Sequence, residues 1–106
     1  MTRLLMTAIG AMLLASGPAL AGDAAAGKTK SKTCAACHGP DGNSVSPAFP
    51  KLAGQNYAYL VTILKHYKDG ERKDPIMSPQ AANLSRRDIE DLAAYFSEQK
   101  GLVTKY

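Results

Sequence analysis

The feature that most constrains this chain is the run Cys34-Ala35-Ala36-Cys37-His38, which holds both cysteines of the 106-residue sequence. Two cysteines separated by two residues and followed directly by histidine form the C-x-x-C-H pattern of covalent haem attachment. Each thiol can add to one vinyl group at the porphyrin edge, and the histidine is then carried beneath the ring. There an imidazole nitrogen of His38 can bind the iron as a proximal ligand. The motif predicts one covalently bound haem c per chain.

Residues 1–21 have the composition of a secretory signal peptide. Arg3 supplies a positive start, residues 4–14 are apolar, and Ala19-Leu20-Ala21 matches the small-residue pattern that precedes cleavage. Gly17-Pro18 interrupts the apolar run before it reaches the roughly 20 residues that a membrane-spanning helix needs. We therefore expect a cleavable signal peptide at residues 1–21, export to the periplasm, and a single mature domain at residues 22–106 without an integral membrane span.

The predicted mature domain is small and only weakly basic. Cleavage leaves 85 residues with 12 basic and 9 acidic side chains, a formal charge of +3. Domains of this size bury little apolar surface and often need additional stabilisation, which a covalently held porphyrin would provide as part of the core. The chain has no basic block or recognition motif that would indicate nucleic-acid binding. Two groups of basic residues could nevertheless steer an acidic redox partner: Lys28, Lys30 and Lys32, and then Lys65, Lys68, Arg72 and Lys73.

Caps and hydrophobic periodicity predict an all-α domain of about three main helices joined by long loops. The first helix is expected to start after Asp23 and to run toward Thr33, directly into the cysteines. The second and third follow from apolar residues at helical spacing. Asp69-Gly70 should end the second helix, and Ser85 with Asp88 should open the third as a capping box, with Gly101 at its end. The apolar positions are Tyr57, Leu60, Val61, Leu64 and Tyr67 in the second helix, and Ile89, Leu92, Ala93 and Phe96 in the third.

The segments between these helices are predicted to be loops, because residues 39–55 are rich in glycine and proline and residues 71–83 carry Pro75 and Pro79. Two long loops without secondary structure are unusual in so small a domain. Loops that wrap a large cofactor bury their surface against it. The loops are thus a second indication of a prosthetic group.

Met77 is the strongest candidate for a second axial ligand of the haem iron. It is the only methionine after residue 21 and lies in Pro75-Ile76-Met77-Ser78-Pro79, where the prolines restrict the backbone. A stiff segment lowers the ordering entropy that a weak thioether ligand must overcome. A core methionine filling a gap is the structural alternative. His66 is the competing ligand, although its place beside the apolar stripe favours a surface position.

Pro50 is a candidate partner for the proximal histidine. A histidine that binds a metal usually donates its other ring N–H to a carbonyl or carboxylate, which fixes the orientation of the ring. Pro50 offers a carbonyl in the loop that follows His38, but a proline that only forms a turn would need no such role.

Together these segments resemble class I c-type cytochromes, and especially the small bacterial cytochromes of the c553 and c4 type. The likeness rests on Cys34–His38, on Phe49-Pro50-Lys51-Leu52-Ala53-Gly54-Gln55, on Met77, and on the stretch from Asn83 to Phe96. It implies axial ligation by His38 and Met77, a hydrogen bond from His38 to the Pro50 carbonyl, and a first helix that crosses the last with Gly27 near Tyr95 or Phe96. Cytochromes of the c4 type carry two haem domains. A single C-x-x-C-H implies the one-domain form.

The expected function is single-electron transfer in a respiratory chain, without enzymatic activity. The partners would be redox proteins: membrane or periplasmic donors, and a terminal oxidase or reductase. We expect a monomer. The alternative is a haem enzyme or gas sensor with an open distal site, where His66 is the available polar group.

Two kinds of site without haem could also use these cysteines. A zinc site would have to combine Cys34, Cys37, His38 and His66, but Cys37 and His38 are adjacent and poorly spaced for one tetrahedron. A thioredoxin-like redox motif would need a βαβ unit, which this helical pattern does not provide.

Overall fold

Five helices form the domain in the computed structural model, which describes residues 22–101. No strand occurs within that range, so the all-α prediction is confirmed. The predicted signal peptide, residues 1–21, lies outside the described residues. In chain order the helices are α1 (Ala24–Lys30), α2 (Lys32–His38), α3 (Tyr57–Asp69), α4 (Met77–Ala82) and α5 (Arg86–Glu98).

The predicted first helix is two helices, joined at Ser31. Asp23 caps α1 as expected, and its carboxylate accepts the N–H groups of Ala25 and Ala26 at 2.9 and 3.3 Å. At Ser31 the hydroxyl donates to the Lys28 carbonyl at 2.7 Å, so a side chain competes with the helical hydrogen-bond pattern there. Ser31 thereby ends α1 and begins α2. The apolar spacing does not change at Ser31, so hydrophobic periodicity did not predict this division of the helix.

The second predicted helix is confirmed as α3. The Asn56 side chain accepts the N–H of Tyr59 at 3.0 Å and caps its start. Gly70 ends it in the left-handed conformation, at φ 86°, where glycine has no Cβ penalty. Leu60 is buried in the core, and Tyr57, Val61 and Leu64 pack around it.

The last helix, α5, is the centre of the core. Ser85 accepts the N–H of Asp88 while the Asp88 carboxylate accepts that of Ser85, so the predicted capping box is present. The helix ends at Glu98, before the expected Gly101. More than one face of α5 is buried, because α1 packs on one side of the helix and α3 on another. The buried residues are Ile89, Asp91, Leu92, Ala93, Ala94, Tyr95 and Phe96.

Helices α1 and α5 cross at Gly27, which lies against α5 as the family resemblance predicted. A Cβ added at Gly27 would overlap the backbone carbonyl of Asp91 and would lie 2.8 Å from Cβ of Tyr95. Only glycine permits this approach of two backbones. Since α1 leads directly into α2, the crossing anchors the segment that carries the cysteines.

An ion-pair cluster closes the same crossing. The Lys30 ammonium lies 2.6 Å from Asp91 and 2.9 Å from Asp88. The Asp91 side chain is only 3% exposed and also accepts the backbone N–H of Asp23 at 2.9 Å. The charge of Lys30 is therefore neutralised within the domain. The proposed steering of a partner by Lys28, Lys30 and Lys32 together stays a prediction.

The connection between α3 and α5 departs from the predicted loop, because residues 77–82 form the short helix α4. Met77 is the first residue of this helix rather than a loop residue. The other connection, residues 39–55, is irregular as predicted. It is tied to the core by the Gly54 N–H, which donates to the Phe96 carbonyl of α5 at 2.9 Å. Within the loop, the Leu52 N–H donates to the Gly42 carbonyl at 2.8 Å.

Candidate haem site

The residues predicted to attach and ligate a haem line one cavity of about 450 Å³. Cys34, Cys37 and His38 lie on its α2 wall, and Met77 lies on the wall formed by the start of α4. The cysteines are three positions apart in a helix and therefore lie on the same face. The fold thus gathers around one space residues that span more than forty positions of the sequence.

His38 is buried, with 6% of its surface exposed, and its ring is held by a hydrogen bond. Nδ1 lies 2.8 Å from the carbonyl oxygen of Pro50. A carbonyl can only accept, so Nδ1 carries the proton and donates it. In the neutral ring Nε2 then carries the lone pair, which is the form in which imidazole binds a metal. The ring of Phe49 packs edge-on against His38 with the ring centres 6.3 Å apart.

Cys34 and Cys37 are both partly buried. Burial raises the pKa of the Cys34 thiol. Among residues 22–101 no group of three or more His, Cys, Asp or Glu side chains converges as a metal site. The zinc alternative therefore has no geometric support in the described part of the chain.

Met77 is held in place by Asp74, a residue that the sequence reasoning did not single out. The Asp74 carboxylate accepts the N–H groups of Ile76 and Met77 at 2.8 and 2.9 Å. These bonds lower the pKa of Asp74, with Met77 the larger contributor. An aspartate ahead of a short proline-bounded segment was the available signal, since aspartate often caps helix starts.

His66 lies away from the cavity. Its Nε2 is 3.1 Å from Oε2 of Glu71, and its side chain is 39% exposed. It is not among the residues that line the cavity, as expected for a surface histidine. Met77 lines the cavity, whereas the His66 side chain is paired with Glu71 outside it.

The remainder of the cavity is largely apolar, as a flat porphyrin requires. The guanidinium of Arg72 lies 5.3 Å above the ring centre of Tyr67, and both residues line the space. Tyr95, which sequence reasoning placed only near Gly27, donates its hydroxyl to the Pro40 carbonyl at 2.8 Å and so ties the loop after His38 to α5. The apolar side chains that line the cavity itself include Leu52, Leu60, Ile63, Leu64, Leu92 and Phe96.

Comparison with known proteins agrees with this geometry. Residues 24–100 match the family model for cytochrome c. The chain is 51% identical over 83 residues to cytochrome c-554(548) of Halomonas halodenitrificans, covering 76% of this chain and all of that protein. It is 54% identical over 80 residues to cytochrome c4 of Pseudomonas aeruginosa, covering 76% of this chain and 40% of that protein. Reduced recombinant cytochrome c4 from Pseudomonas stutzeri superposes with a TM-score of 0.73 and 49% identity, over 77% of this chain and 48% of that one.

Fold and site together define a c-type haem protein: an all-helical domain with a C-x-x-C-H helix against a large apolar cavity. The family match spans most of the sequence, so the chain belongs to the cytochrome c family. Members of this family bind haem c covalently and transfer electrons, and this chain is an electron carrier rather than an enzyme. It spans less than half the length of the c4 cytochromes that it matches.

Proposed function

We propose that this protein is a periplasmic carrier of single electrons with one haem c, ligated by His38 and Met77. Thioether bonds from Cys34 and Cys37 would attach the haem. The observation that carries the proposal is the shared cavity, which has the C-x-x-C-H helix on one wall and Met77 on another. When bound, the haem supplies reversible one-electron exchange between ferric and ferrous iron.

The protein groups prepare each axial position. Nδ1 of His38 lies 2.8 Å from the Pro50 carbonyl, and with its proton on Nδ1 the neutral ring would offer Nε2 to the iron. Such a hydrogen bond also raises the basicity of the ligating nitrogen. Met77 would supply a thioether, a ligand that raises the reduction potential relative to histidine. Two protein ligands would leave no coordination position for a substrate, and this would favour electron transfer over catalysis.

The apolar wall excludes water and limits rearrangement. Leu60 and Leu92 are buried core residues that also line the cavity. A rigid, close-packed wall keeps the environment of the redox centre nearly the same in both oxidation states. This is the property that an electron carrier needs, because structural rearrangement would slow each transfer.

Location and organisation complete the proposal. A signal peptide at residues 1–21 would be cleaved to release a single domain at residues 22–106 into the periplasm. Within residues 22–101, no helix is long and apolar enough to cross a membrane. Donors in the membrane or periplasm and a terminal oxidase or reductase are the proposed partners of a monomeric carrier.

Near-infrared absorption of the oxidised haem protein tests the ligation. A charge-transfer band from methionine to ferric iron is expected in the native protein and should be absent in Met77→Ala. A matched substitution at the surface, His66→Ala, should leave the band unchanged. Absence of the band from the native protein, or ready binding of carbon monoxide to its ferrous form, would instead support the alternative of a haem enzyme or gas sensor with an open distal site.

A further inference from the structure

Asp74 makes four hydrogen bonds that close a tight ring around the segment ahead of α4. Its carboxylate Oδ1 accepts the N–H groups of Ile76 and Met77 at 2.8 and 2.9 Å. Its own N–H donates to Oγ of Ser78 at 2.9 Å, and its carbonyl accepts the N–H of Ser78 at 3.0 Å. The backbone of Met77 is thus enclosed by bonds from one residue.

Helix α4 needs such support because it is short. It has six residues, and Ile76 at its N-cap position makes no side-chain hydrogen bond. Isolated helices of this length do not form in water, and the first N–H groups of a helix lack partners within it. Pro75 and Pro79 restrict the backbone but cannot act as hydrogen-bond donors. The Asp74 carboxylate supplies the acceptor that the helix itself lacks.

We propose that Asp74 is the positioning residue for Met77, and that it sets how firmly the thioether is held toward the haem iron. This inference rests on the proposed ligation by Met77. Asp74 and Met77 line the same cavity, and Asp74 acts through the Met77 backbone rather than on the iron. Methionine is a flexible side chain, so the backbone from which it projects must be fixed if a weak thioether bond is to persist.

How firmly Met77 is held can be measured by the competition of an added ligand for the haem iron. An added ligand such as imidazole can occupy the axial position only after Met77 leaves it. The apparent affinity for imidazole therefore reports how easily Met77 is displaced. The Asp74 carboxylate accepts N–H groups at the start of α4, as an N-cap side chain does. Its removal should therefore increase the apparent imidazole affinity about tenfold, by comparison with N-cap substitutions.

Imidazole titration of the oxidised haem protein tests the proposal. Asp74→Ala should bind imidazole about tenfold more tightly than the native protein and show a weaker methionine charge-transfer band. Asp74→Asn keeps an oxygen that can accept both N–H groups and should remain within about threefold of the native affinity. Asp69→Ala is the matched control. Asp69 also accepts a backbone N–H, from Glu71 at 3.1 Å, but it does not line the cavity, so its substitution should change nothing.

Three outcomes overturn the assignment. An unchanged imidazole affinity in Asp74→Ala removes the coupling to Met77. An equal gain in Asp69→Ala shows general loosening rather than positioning. Asp74→Asn behaving like Asp74→Ala shows that the hydrogen-bond acceptor is not what matters. Failure of the proposed ligation itself is recognised separately, since the native protein would then lack the methionine band before any substitution is made.

Discussion

Replacing Asp88 by asparagine should destabilise the domain near neutral pH and have much less effect in acid. The Asp88 carboxylate accepts the N–H of Ser85 at 2.9 Å and lies 2.9 Å from the Lys30 ammonium. The Ser85 N–H, followed by Lys30, lowers the Asp88 pKa from its ordinary 3.8 to about 2. Both partners favour the charged carboxylate. An amide could keep the cap but not the ion pair.

The size of the effect follows from that difference. At 1.36 kcal/mol per pKa unit, the lowering of the Asp88 pKa from 3.8 to about 2 corresponds to about 2 kcal/mol of folding free energy. The Asp88 side chain is 29% exposed, so screening by solvent reduces the expected cost of the substitution to about 1–2 kcal/mol. The folded-state pKa lies below that of the unfolded chain. The contribution is therefore complete above about pH 4, roughly half remains near pH 3, and little remains near pH 2.

Guanidinium unfolding of the haem protein, followed by far-ultraviolet circular dichroism, measures this dependence. The difference in unfolding free energy between native protein and Asp88→Asn should stay constant from about pH 6 to about pH 4.5 and then shrink as the pH falls to about 2.5. Ser85→Ala provides the control, because it removes the uncharged half of the capping box at a cost of about 1 kcal/mol that should vary far less with pH. A difference for Asp88→Asn that stays constant over this range would refute the assignment of the low pKa to this contact.

Three further predictions address the helix crossing, the loop tie and the haem attachment. Gly27→Ala should lower the free energy of unfolding by about 1–3 kcal/mol, because the added methyl group overlaps the Asp91 carbonyl; an unchanged denaturation midpoint would contradict the close approach. Tyr95→Phe should cost about 1 kcal/mol through loss of the bond to Pro40, also measured by denaturation, and no loss would mean that the bond contributes nothing. Cys34→Ser with Cys37→Ser should abolish haem staining on a denaturing gel, whereas persistent staining would exclude thioether attachment.

Several parts of the fold could be predicted because their causes are local. The helical spacing from Tyr57 to Tyr67, the glycine stop at Gly70 and the capping box at Ser85 each depend on residues within a few positions. Local signals also misled. Ser31 divides the first helix, and α4 forms in a segment whose prolines indicated a loop. In both places a side chain, Ser31 or Asp74, redirects the backbone hydrogen bonds, which hydrophobic periodicity does not detect.

Long-range contacts explain why other features were missed. The neighbouring lysines in the sequence suggest that Lys30 is a surface charge. In the structure it pairs with Asp88 and Asp91, which lie about sixty residues away along the chain. The burial of α5 on more than one side depends likewise on where α1 and α3 pack. Charge and amphipathicity in one segment do not reveal which distant segment will cover it.

The chemistry of the site was decided by the sequence, because C-x-x-C-H holds the thiols and the imidazole within five residues. Met77 could be proposed in the same way, since it is the one methionine after residue 21. The tertiary structure alone decided that Met77 shares a cavity with that motif and that the Pro50 carbonyl reaches His38. Only the folded chain brings these groups together, because packing around α5 sets their separation in space. Spacing along the sequence does not.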